Sequence, residues 1–248
     1  MTNQPSNYRA RIYKHYATNF QDASTVFNED LAWQWGRGYR YYLLNWLPVD
    51  KNAQILDLAC GDGRLLYFFK HLGYLNLMGI DLSSEQVELA KQVIPNVIEA
   101  DIIDWLAQCP LSFDLITGFD IIEHLQKAEA LIFLDACHSA LKPGGHLILQ
   151  TPNAGSLWGG AVRYGDFTHE VSFTPMVLSR LLILAGFRDV DVRETGPVPW
   201  GYSTFSSVRY LLWQFLRIGL KIWNLAEIGS TGSNVLTRVF LIRGSKSL

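Results

Sequence analysis

The chain has 248 residues, 49% hydrophobic and 18% charged, which suits a folded protein with a large core and excludes wholesale disorder. A net charge of -2 offers no electrostatic grip on a phosphate backbone, so nucleic acid is disfavoured as a partner. The three cysteines, Cys60, Cys109 and Cys137, fit neither a disulfide framework nor a CxxC metal pattern, and imply a reducing, cytoplasmic setting.

Met1 to Phe20 lacks the apolar stretch of a signal peptide. Residues 1–48, crowded with aromatics between Tyr8 and Trp46, are expected to form a helical cap, with Tyr13 as an acceptor contact. Residues 49–248 are expected to form the main domain. From Gln54 to Thr151 short apolar runs alternate with helix-like stretches, as in parallel βαβ units. The runs predict strands at Gln54–Ala59, Leu75–Asp81, Asn96–Asp101, Phe113–Phe119 and His146–Thr151. Helical spacing covers Arg64–Leu72, Ser84–Ile94 and Ile121–Leu141, with Ser83 or Ser84 as an N-cap. Lys142-Pro143-Gly144-Gly145 predicts a helix stop and turn.

Further on, Pro175–Gly186 reads as a helix, and Arg188–Thr195 and Thr237–Arg243 as the last two strands. The sum is an α/β fold with a seven-stranded, mostly parallel sheet and helices on both faces. A helical insertion of about 197–235 separates the last two strands, long enough for a functional suspicion. In its 205–225 stretch Arg209, Arg217, Lys221 and Asn224 share one stripe, and nearly everything else is bulky and apolar. No run is long and apolar enough to span a membrane. The wide face suits peripheral contact with the inner face of a membrane, a cap helix packed on the sheet, or a homodimer partner.

The chemistry concentrates in Ile55-Leu56-Asp57-Leu58-Ala59-Cys60-Gly61-Asp62-Gly63-Arg64, which runs from a strand through a small-residue turn into a helix. Such a turn lets backbone approach a ligand closely and presents N–H groups to it. Counted from Gly61, the sixth position is Leu66, so the dinucleotide pattern of an oxidoreductase fails. Acidic residues instead end three successive strands: Asp57, Asp81 and Asp101. A carboxylate after the second strand suits a ribose hydroxyl pair.

LDLACGDGR, GIDLS, EADI, FDLITGFDIIEHL and LKPGGHLILQTPN, in that order, resemble the class I S-adenosylmethionine (SAM)-dependent methyltransferase family with its Rossmann-like fold. The resemblance implies SAM as cofactor and S-adenosylhomocysteine as product. It places Asp57, Gly61 and Gly63 at the methionine end, Asp81 on the ribose, Leu82 on the adenine and Asp101 with Ile102 beside the base, with Ala59 and Phe119 also among the cofactor-binding residues. Ala59 stands where the family usually has its first glycine.

On the acceptor side, Asp120-Ile121-Ile122-Glu123-His124 is similar to the acid-x-x-Glu-His pattern of ubiquinone-biosynthesis O-methyltransferases, which holds a divalent metal. Asp120 in place of Glu shortens the reach and argues against a metal here. A second cluster runs from Arg163 through Tyr164, Asp166 and His169 to Glu170, and its GDFTHE turn resembles methyltransferases of bacterial cell-surface glycan clusters. His124, His169 and Glu123 are the candidate catalytic residues, and Asp120, Arg163, Tyr164 and Asp166 candidate acceptor contacts. Either histidine titrates near neutrality when unperturbed and would serve as a base. The preferred expectation is methylation of a sugar hydroxyl on a cell-surface glycan or glycoconjugate. The alternative is O- or C-methylation of a quinone-like or small aromatic acceptor, with Glu123 and His124 central. A non-enzymatic SAM sensor or partner subunit is the rival from another class.

Overall fold

The computed structural model describes Ile12 and residues 25–109, 112–200 and 202–248. Seven strands form one sheet: β1 (Gln54–Leu58), β2 (Asn76–Asp81), β3 (Val97–Glu99), β4 (Phe113–Phe119), β5 (Leu141–Pro152), β6 (Arg188–Glu194) and β7 (Val239–Ser245). Their order is β3-β2-β1-β4-β5-β7-β6, and β7 runs antiparallel to both its neighbours. The direction of winding therefore changes between β1 and β4, which pair in parallel with Asp57 opposite Thr117 and Leu58 opposite Gly118.

The central strands are apolar on both sides because both faces are covered. Leu56, Leu58, Ile116, Leu147, Leu149 and Ile242 enter one core. It packs against α5 (Ile102–Leu106), α6 (Lys127–Ala140) and α8 (Pro175–Leu184). The alternate residues Ile55, Leu115, Ile148 and Leu241 enter the other. That side is covered by α1 (Glu29–Gly36), α2 (Tyr39–Tyr42), α3 (Arg64–His71) and α4 (Ser84–Lys91). Tyr39, Leu43 and Trp46 from the aromatic N-terminal stretch belong to this second core.

Two expected elements differ. The helix expected over Ile121–Leu141 is broken into a single 3-10 turn, Ile122–His124, and α6. The break is a capping box: Glu129 accepts from the Gln126 N–H at 2.7 Å and Gln126 caps in return, so a new helix starts there. The helix stop at Lys142–Gly145 holds, but these residues extend β5 rather than turning. Gly144 N–H donates to the Lys246 carbonyl at 3.0 Å and Lys246 N–H to that of Gly145 at 2.9 Å. The insertion contains α9 (Thr204–Ile228), and the short α7 (Gly159–Arg163) follows β5.

Candidate functional site

The turn after β1 is built on left-handed backbone, with φ of 53° at Ala59, 53° at Gly61 and 89° at Gly63. A Cβ on Gly63 would lie 3.1 Å from the Ala90 Cα, so α4 packs directly on this glycine. A Cβ on Gly61 would meet nothing within 4 Å, which marks open space beside the turn where a ligand can lie against backbone. Ala59 accepts the same backbone conformation that a glycine takes more readily.

Two carboxylates flank this space. Asp57 is buried and accepts a hydrogen bond from the Thr117 hydroxyl at 2.7 Å. Burial pushes its pKa up to about 7, against the lowering effect of the Thr117 bond. Asp81 takes the Gly61 N–H at 2.9 Å on one oxygen and the Ser83 N–H at 2.8 Å on the other. Burial raises its pKa despite those bonds. Each oxygen keeps a second lone pair for a hydroxyl pair.

Leu82, directly after Asp81, is exposed and offers an apolar surface. Asp101 caps α5, one oxygen accepting from Ile103 N–H at 2.9 Å and Asp104 N–H at 3.2 Å. Ile102 sends its side chain into the core, leaving backbone to meet a ligand. Phe119 ends β4 half-buried, its ring 5.3 Å from that of Tyr39.

Beyond β4 the structure joins the two acceptor-side clusters that are 39 or more residues apart in sequence. The Glu123 carbonyl accepts from Glu170 N–H at 2.8 Å and Val171 N–H at 3.1 Å, which draws the GDFTHE loop over the 3-10 turn. His124 and His169 then meet edge to face, ring centroids 4.8 Å apart. Ligand atoms of Glu123, His124 and His169 all lie within 4.8 Å of one another.

The tautomers follow from the partners. The Thr168 hydroxyl donates its one proton to Asp166 at 2.6 Å, so the 2.8 Å contact with His124 Nδ1 has the histidine donating. His169 Nδ1 faces the Arg163 carbonyl at 3.2 Å, which only accepts. Both imidazoles therefore carry the lone pair on Nε2.

Glu123 is buried, with one oxygen accepting from the Thr151 hydroxyl at 3.0 Å and Oε1 unpartnered. Burial first, and then the nearby Asp120 charge, raise its pKa well above the ordinary carboxylate range. Asp120, at φ 53°, accepts from Gln150 Nε2 at 2.9 Å, and its crowded surroundings push it up to about 6. Gln150 in turn accepts from the Tyr39 phenol at 2.7 Å. Burial and Asp120 hold that phenol above its usual range, so it stays a donor.

Several of the residues expected as acceptor contacts bond within their own loop. Asp166 is engaged by Thr168 through both its N–H and its hydroxyl, and Arg163 donates to the Glu170 carbonyl at 3.0 Å. The polar groups that made this loop look suited to a polyhydroxylated acceptor are thus directed at one another. Tyr164 is exposed, with the Arg163 guanidinium 5.4 Å from its ring centroid. Tyr13 lies outside the described residues. A cavity of about 540 Å³ lies between α2, β6 and α9, lined by Tyr42, Glu194, Tyr210, Trp213 and Arg217, and no expected site residue borders it. Thr117, Thr168, Gln150 and Tyr39 were not singled out by sequence reasoning, although Thr117, Gln150 and Thr168 stand inside motifs that were.

A family profile described as a methyltransferase domain matches residues 27–192. A ubiquinone biosynthesis O-methyltransferase of Xanthomonas euvesicatoria is 36% identical over 186 residues, 64% of this chain and 74% of that one. In fold, the chain is similar to a SAM-dependent methyltransferase from Archaeoglobus fulgidus, with TM-score 0.63 and 21% identity over 88% of this chain and 95% of that one. It is also similar to the Haemonchus contortus phosphoethanolamine N-methyltransferase 2 solved with SAM, with TM-score 0.58 and 17% identity, covering 95% of this chain and 60% of that one.

Proposed function

The chain belongs to the class I SAM-dependent methyltransferases, and from that premise we propose that it methylates a hydroxyl oxygen of a quinol- or catechol-like acceptor. The observation that carries this reading is the Glu123, His124 and His169 cluster at the end of β4, with His124 oriented by Thr168 and Asp166. The similarity to a ubiquinone biosynthesis O-methyltransferase supports it. The glycan reading finds no such support, and Asp166, Thr168 and His169 of the GDFTHE loop bond within the protein.

When bound, SAM supplies an electrophilic methyl group on a positively charged sulfonium. The residues of this chain bind, orient and move a proton. Asp81 would take the ribose hydroxyls, and the exposed Leu82 would pack on the adenine. Asp57, its pKa raised by burial to about 7, would hold the methionine ammonium, whose positive charge would favour the ionised carboxylate. On the acceptor, His124 Nε2 accepts the hydroxyl proton as the oxygen becomes nucleophilic. The Asp166 charge, passed through Thr168, stabilises the imidazolium that results. The phenol of Tyr39 fixes Gln150, which in turn holds the Asp120 carboxylate at the end of β4.

A divalent cation fits the same cluster: two imidazoles and the Glu123 carboxylate, whose Oε1 is unpartnered, form a suitable donor set. Glu123, His124 and His169 would hold it, with Asp120 engaged by Gln150 instead, and it would lower the pKa of the acceptor hydroxyl.

The test is methyl transfer from labelled SAM to a prenylated catechol and to lipid-linked sugars, with wild type, His124→Gln and His169→Gln. The expected result is turnover on the catechol, reduced at least about a hundredfold by His124→Gln. Turnover on sugars with an inert catechol, or a His124→Gln enzyme of wild-type rate, overturns the proposal. Activity that survives a chelator assigns deprotonation to His124; loss that added metal restores assigns it to a cation on the cluster.

A further inference from the structure

Helix α9 is amphipathic in the reverse of the usual sense. Its polar side chains turn toward the body of the protein: the Ser206 hydroxyl donates to the Val198 carbonyl at 2.8 Å, and Arg217 pairs with Glu194. Arg217 also donates to the Asn234 carbonyl at 3.1 Å, and Asn224 donates to that of Thr231 at 3.3 Å. Tyr210 and Trp213 line the cavity under the helix, and most of the other large apolar side chains face outward. Eleven large ones are exposed along this one helix, among them Phe205, Leu212, Phe215, Ile218, Ile222 and Trp223, with Phe215 at 74%. Together they expose on the order of 1,000 Å², beyond the ~300–600 Å² of a typical monomer's largest patch.

We propose that α9 is a docking helix that lays this face into the interface of an anionic lipid bilayer. Three observations select a bilayer over a second copy of the chain. First, at 3.6 residues per turn the exposed positions sweep roughly 200° of the circumference, about twice the stripe that one packed neighbour covers. A bilayer interface receives the whole arc. Second, the charges are arranged for lipid headgroups. Arg209 and Lys221 fall on the two borders of the arc, and the helix's one acid, Glu227, sits near its end and accepts from Trp223 Nε1 at 2.9 Å.

Third, the helix is anchored so that it can bear on a surface without leaving the fold. The Glu194 and Arg217 pair ties its middle to the end of β6, and Asn153 donates to the carbonyls of Val235 and Thr237 on the segment that leaves it. Among the described residues no helix is long and apolar enough to cross a membrane, so α9 lies along the interface.

The experiment is co-sedimentation of the full chain with vesicles of phosphatidylcholine and phosphatidylglycerol in equal parts, followed by tryptophan emission. Wild type is expected to pellet with the vesicles and its emission to shift to the blue. Phe215→Glu with Ile222→Glu, both at solvent-facing positions, is expected to lower the bound fraction at least tenfold. Leu75→Glu with Leu184→Glu, equally exposed and equally charged but off the helix, is expected to bind as wild type does. Circular dichroism of each variant confirms the fold. Wild type that stays in the supernatant overturns the proposal, as does an equal loss in the control variant. So does a dimer, seen by sedimentation velocity, that the α9 variant dissociates while neither protein binds vesicles, because the face would then belong to a second copy.

Discussion

Replacing Asp57 by Asn tests the electrostatics of the cofactor side directly. Asp57 is 2% exposed, and burial raises its pKa from 3.8 to about 7. A raised carboxylate pKa means that the folded state holds a proton the unfolded chain has released. Stability is therefore fully present below pH 3.8 and is lost as pH climbs to about 7. One group contributes up to about 1.4 kcal/mol per pH unit in that window, so Asp57 removes about 2 kcal/mol between pH 5 and 7 and about 3 kcal/mol by pH 8, where the effect levels off. Asn keeps the acceptor for the Thr117 hydroxyl but cannot titrate. Urea unfolding of both proteins from pH 5 to 8 isolates the residue, because Asp120 and Glu123 titrate alike in each. The stability of wild type relative to Asp57→Asn should fall by about 3 kcal/mol across the window. A flat difference would refute the claim that burial outweighs the Thr117 bond. Below pH 7, SAM binding to wild type should also release a proton, seen as a buffer-dependent heat that Asp57→Asn lacks.

At the turn, Gly61→Ala and Gly63→Ala separate ligand contact from packing. Both pay left-handed strain of about 1–2 kcal/mol, but only Gly63→Ala also drives a methyl into Ala90. Urea unfolding should show Gly63→Ala as the less stable by about 1 kcal/mol or more, while Gly61→Ala weakens SAM binding about tenfold by calorimetry. Thr168→Val removes the hydroxyl between Asp166 and His124, a charge-assisted contact of about 1.5–3 kcal/mol. Its kcat should fall roughly ten- to hundredfold with SAM affinity unchanged, and a kcat within twofold of wild type would dismiss the relay. Glu194→Gln weakens the tie that holds α9 through Arg217 and Leu236 N–H, and should cost about 1–3 kcal/mol. Limited proteolysis should then cut within 229–236 faster, while SAM binding is retained.

The sheet was legible wherever an apolar run met a clear boundary. Phe113–Phe119 has the expected limits because Asp120 turns the chain at its end. The turn after β1 was legible for a similar reason: small residues and strand-end acids are local features of sequence. The break between His124 and Lys127 was signalled by Gln126 and Glu129, but apolar spacing continues across it and masks the cap. The union of the two histidine clusters was not legible. It depends on backbone N–H groups of Glu170 and Val171 finding the Glu123 carbonyl, and such a bond carries no side-chain signature. Thr168, Gln150 and Tyr39 escaped notice because their partners lie 44, 30 and 111 residues away. The polar stripe of α9 was visible as a stripe, yet its inward direction is set by Glu194 in β6.

Strain and function coincide at the centre of the sheet. Among the described residues four non-glycines adopt positive φ, and two of them, Ala59 and Asp120, directly follow β1 and β4. These adjacent strands are where the winding reverses, the place at which open α/β sheets receive ligands. Each left-handed residue costs about 1–2 kcal/mol, a cost sustained because Leu56, Leu58 and Ile116 beneath them are wholly buried. At Ala59 the reversal delivers the Gly61 N–H to Asp81; at Asp120 it delivers a carboxylate to Gln150 and leads into Glu123 and His124. The proposed donor and acceptor sites thus hang from two strands held in fixed register, Leu58 against Gly118. Methyl transfer needs its nucleophile and its methyl group in line within a narrow distance, and two rigid neighbouring strands set that spacing more firmly than either loop alone.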